Sequence, residues 1–388
     1  MSWSLELFRT VDGLRLGELP LVDFSWSLGL REGHLDGPPT GVGEADVTSL
    51  EFSLDALTDT GWINPEVRGW QNTLLHLFMP IKHGIMLLRD GAPLVGGPIG
   101  GVVSITETGV SLDVDSWATI LGSRFVVPES LVKGLWTGDR QIRFAGQSLG
   151  TIGKSAMVKA MEKPSGALPF TFPVDEAARH ERTYQAFNVA NLSVADIHEK
   201  LANVISGPDI TYRPYVASPQ KFAWRYMAGS NRDPYLGQDV LHDWEYGSED
   251  VHGLTVDVSA EFIAHRVYGV GDGQDVGTLV TRRDVEVPPE WPLIEKVVSD
   301  SGIKKLDLLN EFADGHLNQW PLAQPRMTVR ADGSTPLGTF WPGEMARVTV
   351  SGHPAFPDDT YDFRILSMSG DAGENVELVF DPVVITQW

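Results

Sequence analysis

No cysteine occurs in the 388 residues, which excludes a disulfide framework, thiolate metal sites and a cysteine nucleophile, and is compatible with assembly in a reducing compartment. Basic residues are scarce. Thirty Lys and Arg stand against 52 Asp and Glu, leaving a formal charge of −22, so stable binding to nucleic acid or to an anionic membrane surface is not expected. Long apolar runs are missing too. The most apolar stretch, Leu74 to Leu88, is interrupted by His76, Pro80, Lys82, His83 and Gly84 and falls short of the ~18 residues of a membrane helix. Residues Met1 to Arg9 carry no basic leader followed by an apolar core, so the chain reads as soluble, without a signal peptide. Extended helical periodicity is also rare, while forty glycines and 25 prolines exceed the ~12% that these two residues usually make up. A helical bundle is excluded.

What remains is an ordinary globular balance of 42% hydrophobic and 21% charged residues. At 42.5 kDa, about 150 residues per domain gives two or three domains. The first 125 residues alternate with period two. Met86-Leu87-Leu88 runs into the turn pair Asp90-Gly91 and is answered by Leu94-Val95, a hairpin signature. Val102–Ile105 and Val110–Asp115 flank Thr106–Gly109, and Ser116–Leu121 allows a short closing helix. From about 126 to 255 the period changes. Ser193, with Asp196 three residues on, caps a helix carrying Ile197, Leu201, Val204 and Ile205 at helical spacing, stopped by Gly207-Pro208. A second helix is expected over Ile152–Glu162, and Tyr212–Trp224 reads as strand or extended loop, making the middle α/β or α+β. From Val256 onward strands return at 255–258, 266–269, 347–350, 361–366 and 376–380, with a helical insertion at about 290–320 whose helix, Ile303 to Leu317, carries Leu306, Leu309, Phe312 and Ala313 on one face. The segments 85–115 and 345–380 share an order of strand, turn, strand, loop and alternating strand. Two related small barrels at 1–125 and 256–388, around an α/β region at 126–255, is the economical β-rich α+β reading.

Motifs that carry chemistry are each incomplete. Ser148-Leu149-Gly150-Thr151-Ile152-Gly153-Lys154-Ser155 has the Gly-Lys-Ser end of a phosphate loop behind a possible strand at Gln141–Phe144, but Ser148 occupies the place of the flexible first glycine. No clean magnesium carboxylate follows, because Glu377 interrupts the apolar run before Asp381. Lys154 is therefore expected at an ordinary helix start. Gly269-Val270-Gly271-Asp272-Gly273 lies between two strands, which suits a hairpin turn and not a dinucleotide fingerprint, and Asp272 and Asp275 lack the remaining ligands of a calcium loop. His198-Glu199 begins like a zinc-protease helix, but Ala202 stands where the second histidine is needed. The other histidines, among them His76, His83, His180, His242, His252, His265, His316 and His353, form no i, i+4 pairs. There is no Gly-x-Ser-x-Gly elbow. No catalytic, cofactor or metal residue is assigned, and the chain does not read as an enzyme. Its 12 tryptophans are spread through every segment, which suits core or subunit contacts better than a glycan platform.

Several pieces in fixed order resemble a family. Leu87–Gly97, Leu112–Trp117 with Arg124, Thr183-Tyr184 leading to Ser193–Ile197, Arg266–Gly271, Trp291-Pro292-Leu293, the helix through Leu309 and Ala313, and Trp341–Glu344 leading to Phe363–Leu366 make the chain similar to the baseplate or tail-hub minor tail proteins of actinobacterial long-tailed (siphovirus) phages. The resemblance implies two tail-tube-like β-barrels per chain and a homotrimer presenting six similar units. Its implied partners are a distal tail protein and tail tube ring, central tip or fibre proteins, and a tape measure protein. The implied location is the virion tail tip, assembled in the host cytoplasm for genome delivery. A receptor- or glycan-binding tail module is the alternative. Some members of that family carry a C-terminal peptidase or receptor-binding extension, and the chain ends soon after its last strand. The acidity has two readings, solubility or a channel surface that repels DNA phosphates.

Overall fold

The computed structural model describes residues 2–30, 41–127, 140–204 and 206–384. Its opening part holds β1 (Trp3–Arg9), β2 (Arg15–Leu19), β3 (Ser25–Gly29), β4 (Glu44–Ser53), α1 (Leu54–Asp59), α2 (Trp70–Leu77), β5 (His83–Arg89), β6 (Ala92–Ile105), β7 (Gly109–Val114) and α3 (Ala118–Leu121). The expected hairpin is formed. Asp90 and Gly91 have φ of 50° and 78°, as a two-residue type I′ turn requires, and Arg89 pairs with Ala92. The helices α1 and α2 were not anticipated. They are six and eight residues long, too short to show periodicity; Ser53 starts the first by accepting from Ala56 N (3.1 Å).

The middle contains β8 (Gln141–Gln147), α4 (Leu149–Met161), β9 (Phe170–Thr171), β10 (Ala177–Gln185), α5 (Val194–Ala202), β11 (Ile210–Ser218) and β12 (Lys221–Ala228). Both helices foreseen here are present. Ser193 caps α5 through Asp196 N (3.1 Å); Ile205, expected on its apolar face, lies outside the described residues. Tyr212–Trp224 resolves into the antiparallel pair β11–β12. A separate core gathers here, built on Phe8, Trp117, Ile152, Met157, Ile197, Leu201, Phe222, Trp224 and Tyr226.

The last part runs through β13 (Leu241–Glu245), β14 (Val251–Ser259), β15 (Arg266–Val270), β16 (Val280–Asp284), β17 (Glu295–Ser299), α6 (Leu306–Asp314), β18 (Leu322–Arg330), β19 (Met345–Val350), β20 (Asp359–Asp371), β21 (Asn375–Phe380) and β22 (Val383–Val384). The helix expected between Ile303 and Leu317 is α6. It belongs to a larger inserted unit, the sheet β16-β15-β17 with α6 packed on it, around Ala264, Val267 and Ala313. Chain entry and exit touch, Ala264 N to Asn318 O (2.9 Å) and Asn318 N to Ala264 O (3.2 Å), so the unit sits at the tip of the β14–β18 hairpin.

One sheet path runs β14-β18-β21-β20-β3-β4-β7-β6-β5-β1-β2, with β19 and β13 branching from β20. It contains the same order twice. In chain order β3, β4, β5, β6, β7 arrange as β3-β4-β7-β6, with β5 on the first half of β6; β14, β18, β19, β20, β21 arrange as β14-β18-β21-β20, with β19 on the first half of β20. All these pairings are antiparallel. The long strands β6 and β20 shift register where they change partners, between Ile99 and Val103 and between Ile365 and Ser367, as bulges at barrel corners do. The largest core draws on both halves, from Leu5, Phe52 and Val114 to Val348, Met368 and Phe380.

A buried ion pair ties the three parts together. Asp209, with no exposed surface, pairs with Arg364 of β20 and accepts from Leu236 N (2.8 Å) and Gly41 N (3.3 Å). Arg364 also meets Asp381 (3.2 Å) and lies over the Tyr235 ring (4.7 Å). Burial pushes the Asp209 carboxyl above its ordinary range, and the Arg364 charge opposes that. Removing one partner of such a pair leaves an uncompensated buried charge. Arg364→Leu should therefore cost about 3–5 kcal/mol in chemical denaturation, and adding Asp209→Asn should recover much of the loss. A single variant as stable as the parent would show that the pair does not hold this junction.

Candidate functional site

The phosphate-loop look-alike is a capped helix start. Ser148 Oγ accepts from Thr151 N (3.2 Å) at the head of α4, and Ser148 N donates to Glu176 O (2.9 Å). The glycines serve packing against β12: a Cβ on Gly150 would lie 2.8 Å from Ala228 Cβ and Gly229 O, and one on Gly153 would lie 2.6 Å from the Tyr226 hydroxyl. Lys154 Nζ donates to Pro173 O (2.7 Å) and pairs with Asp175. Its charge is thus spent on its own chain.

His198 is fully buried between α4, α5 and the β11–β12 pair. Its Nε2 donates to Gly153 O (2.9 Å), its Nδ1 accepts from the Tyr212 hydroxyl (2.6 Å), and the Tyr226 hydroxyl donates to Gly150 O (2.8 Å). Burial holds the ring neutral, lowering its pKa to about 4 against the opposing Gly153 hydrogen bond, and raises both tyrosines. Ala202, where a zinc site would need histidine, is buried. Among the described residues no group of three His, Asp or Glu is arranged to hold a metal. Several other histidines are bonded within the fold, His83 to Leu77 O, His180 to Asn231, His242 to Glu344, His265 to Gln319 O and His353 to Leu254 O. Gly269–Gly273 leads from β15 into the connection to antiparallel β16; Gly273 has φ 129°, and a Cβ there would meet Gly277 O at 2.4 Å. Asp272 faces Lys304 at 4.0 Å. Among the described tryptophans Trp26, Trp117, Trp224 and Trp244 are buried, Trp3, Trp62, Trp70, Trp291, Trp320 and Trp341 are part-buried, and none is exposed. Trp136 and Trp388 lie outside the described residues. The observation that motivated a glycan platform is thereby removed for these ten.

The surface with the most distinctive chemistry is the outward face of the repeated sheet. Strand alternation puts large apolar residues inward, as in Trp26 and Leu28 of β3 or Val110, Leu112 and Val114 of β7, and leaves small polar and acidic ones outside. Register aligns them across strands: Ser369 opposes both Ser27 and Glu377, Asp371 opposes Ser25, Ser27 opposes Asp46, and Glu51 opposes Ser111. Ser25, Ser27, Asp46, Thr48, Thr328, Ser369, Asp371, Asn375 and Glu377 line a shallow cleft along the β20–β3 seam. Asp113 accepts from Ser49 N (2.9 Å), and Arg326 bridges Asp257 (2.8 Å) and Glu377 (3.1 Å). Hydroxyls and carboxylates make up most of this lining, and Trp26, which also borders the cleft, is buried. The alternation of Ser111 and Asp113 was readable in the sequence; their placement against Glu51 and Ser49, some 60 positions away, was not.

No protein-family model matches the chain, and no curated protein matches it in sequence. Solved structures do. The 43 kDa tail protein of prophage MuSo2 from Shewanella oneidensis is similar with a TM-score of 0.54 at 11% identity, covering 98% of both chains. The tail protein from Neisseria meningitidis MC58 is similar with a TM-score of 0.50 at 11% identity, covering 98% of this chain and 96% of that one. The chain has the fold of these phage tail proteins, and it is mostly β with few helices. Among the described residues no helix is long and apolar enough to cross a membrane.

His198 makes stability depend on pH. The unfolded ring takes a proton near pH 6.5, the buried ring only near pH 4. Its contribution is full above pH 6.5 and is lost as pH falls from 6.5 toward 4, by up to about 3 kcal/mol. Denaturation midpoints measured across that range should fall, and His198→Gln should remove this component; an unchanged slope in the variant would assign it elsewhere. Lys154→Ala should lower stability by less than about 1 kcal/mol, and ATP with magnesium should leave the melting temperature of the parent unchanged. ATP-dependent stabilisation abolished by that substitution would reinstate the phosphate loop.

Proposed function

We propose that this chain is a structural, non-enzymatic virion protein, a homotrimeric hub at the tail tip or baseplate of a long-tailed phage of the actinobacterial type. The observation that carries the reading is the doubled strand order within one sheet, in a chain whose fold matches phage tail proteins over nearly its whole length. Each half is read as a tail-tube-like barrel, at 1–125 and 256–388, around the α/β region at 126–255, with β13 and β14 joined to the second barrel through β19 and β18. Three chains then offer six similar units to a ring of distal tail and tube subunits and threefold symmetry to central tip, fibre or tape measure proteins. Assembly would take place in the host cytoplasm.

The acidic outward face supports a role lining or closing the tail channel. Each copy carries −22, and carboxylates such as Asp46, Glu51, Asp113 and Asp371 on a Ser- and Thr-rich surface would repel DNA phosphates within a Debye length, about 8 Å in physiological salt. A passing genome would find no foothold there.

Mass photometry of the purified chain at micromolar concentration should show a species of three times 42.5 kDa, and a reconstruction of the assembled tip should place three copies around the channel. A strict monomer or a hexamer in both experiments would overturn the hub reading. A bore lined mainly by Lys and Arg would overturn the role given to the acidic face.

A further inference from the structure

The inserted unit between β14 and β18 carries chemistry that the double sheet does not. In its sheet β16-β15-β17 the strands β15 and β17 run parallel, and Val270 opposes Ser299 at the last pair of that ladder. Both residues border a cleft of about 610 Å³, open to solvent. That volume is in the range of small-ligand sites, and the carboxyl ends of parallel strands are where open α/β sheets collect ligands.

The walls are fixed before anything binds. Gly271 N donates to Leu279 O (2.7 Å), Leu279 N to Asp272 O (2.9 Å) and Asp272 N to Ile303 O (2.8 Å), while Asp300 N donates to Val270 O (2.9 Å) and Ile303 N to Asp300 O (3.1 Å). A Cβ on Gly271 would lie 2.7 Å from Ile303 O, so glycine lets the two loops approach each other. On α6, Phe312 stands edge-on to His316, with ring centroids 4.9 Å apart. Walls already ordered spare a ligand the cost of ordering them.

The lining selects a class of ligand. Phe312 offers an apolar ring, Thr278, Ser299 and Ser301 offer hydroxyls, and Asp300 offers a carboxylate. Oδ1 of Asp300 accepts from Gly302 N (2.8 Å), which leaves the second oxygen for a ligand hydroxyl. Among the described residues no lysine, arginine or histidine lines the cleft, so an anion would meet the charge of Asp300 without a cation to offset it. One carboxylate is too few to hold a metal ion, and a purely apolar ligand would bury the hydroxyls and the carboxylate unpaired. Hydroxyls that hydrogen-bond, beside C–H faces that lie on an aromatic ring, are what a sugar supplies. We propose that this cleft binds a neutral saccharide. Its open shape admits internal units of a polymer. The inference goes beyond the hub reading, which concerns how copies assemble.

The purified full-length chain should retain neutral oligosaccharides on an array of bacterial cell-wall and capsular glycans, and calorimetric titration with a retained glycan should give one site per chain. Asp300→Asn keeps the oxygen that Gly302 bonds and should weaken binding about tenfold. Phe312→Ala should weaken it by a similar factor. Ser301→Arg, at an exposed position, should block the cleft with the melting temperature unchanged, so a folding defect in the Phe312 variant leaves the test intact. An array that retains nothing, or only anionic glycans, would overturn the proposal. Binding that survives both Asp300→Asn and Ser301→Arg would put the sugar elsewhere and overturn it as well. None of these outcomes alters the copy number seen by mass photometry, so the hub reading is judged separately.

Discussion

The Asp209–Arg364 pair sets the terms for the rest of the molecule. A carboxylate with no exposed surface remains charged only where a cation and peptide donors replace its water, and here the donors come from parts of the chain that must already be in place: Gly41 before β4, Leu236 after β12, and the guanidinium of β20. Arg364 is also the last residue of β20 opposite β19, just before the strand changes partners at Ile365. The ion pair thus pins the corner at which β20 leaves its own hairpin and turns toward β3. Without that corner there is no path between the two halves and no continuous sheet.

Local features were legible because their physics is local. The Asp90-Gly91 turn, the Ser193 cap and the helices that carry Lys154 and His198 all follow from a few neighbouring residues, and the structure puts each of them in the expected element. The short helices α1 and α2 escaped notice because one or two turns leave little periodic trace. The extent of the inserted unit escaped because only its helix has a recognisable pattern, whereas the contact that delimits it joins Ala264 to Asn318. The similarity of 85–115 to 345–380 was visible as an order of strands, but not the strands β3, β4, β14 and β18 that complete each half. Pairing across more than 300 residues, as in Gly370↔Trp26, leaves no mark in either segment alone.

The middle part contributes rigidity by a different means. Its helices approach β11 and β12 through glycine, and the space so gained is filled by a neutral histidine and two tyrosine hydroxyls, each bonded to a backbone carbonyl or to one another. Such a network is satisfied only in one arrangement of α4, α5 and the strands, which fixes the orientation of the region that also presents Asp209 to Arg364.

The inserted unit between β14 and β18 enters and leaves the fold through a single pair of residues. The β14–β18 ladder already holds those two points together, and the closure entropy of whatever lies between them grows only slowly with its length, by about 0.6 kcal/mol per doubling. The position works as a socket: the fifty-odd residues between Ala264 and Asn318 can be lengthened, shortened or exchanged while the pairing of the double sheet stays as it is.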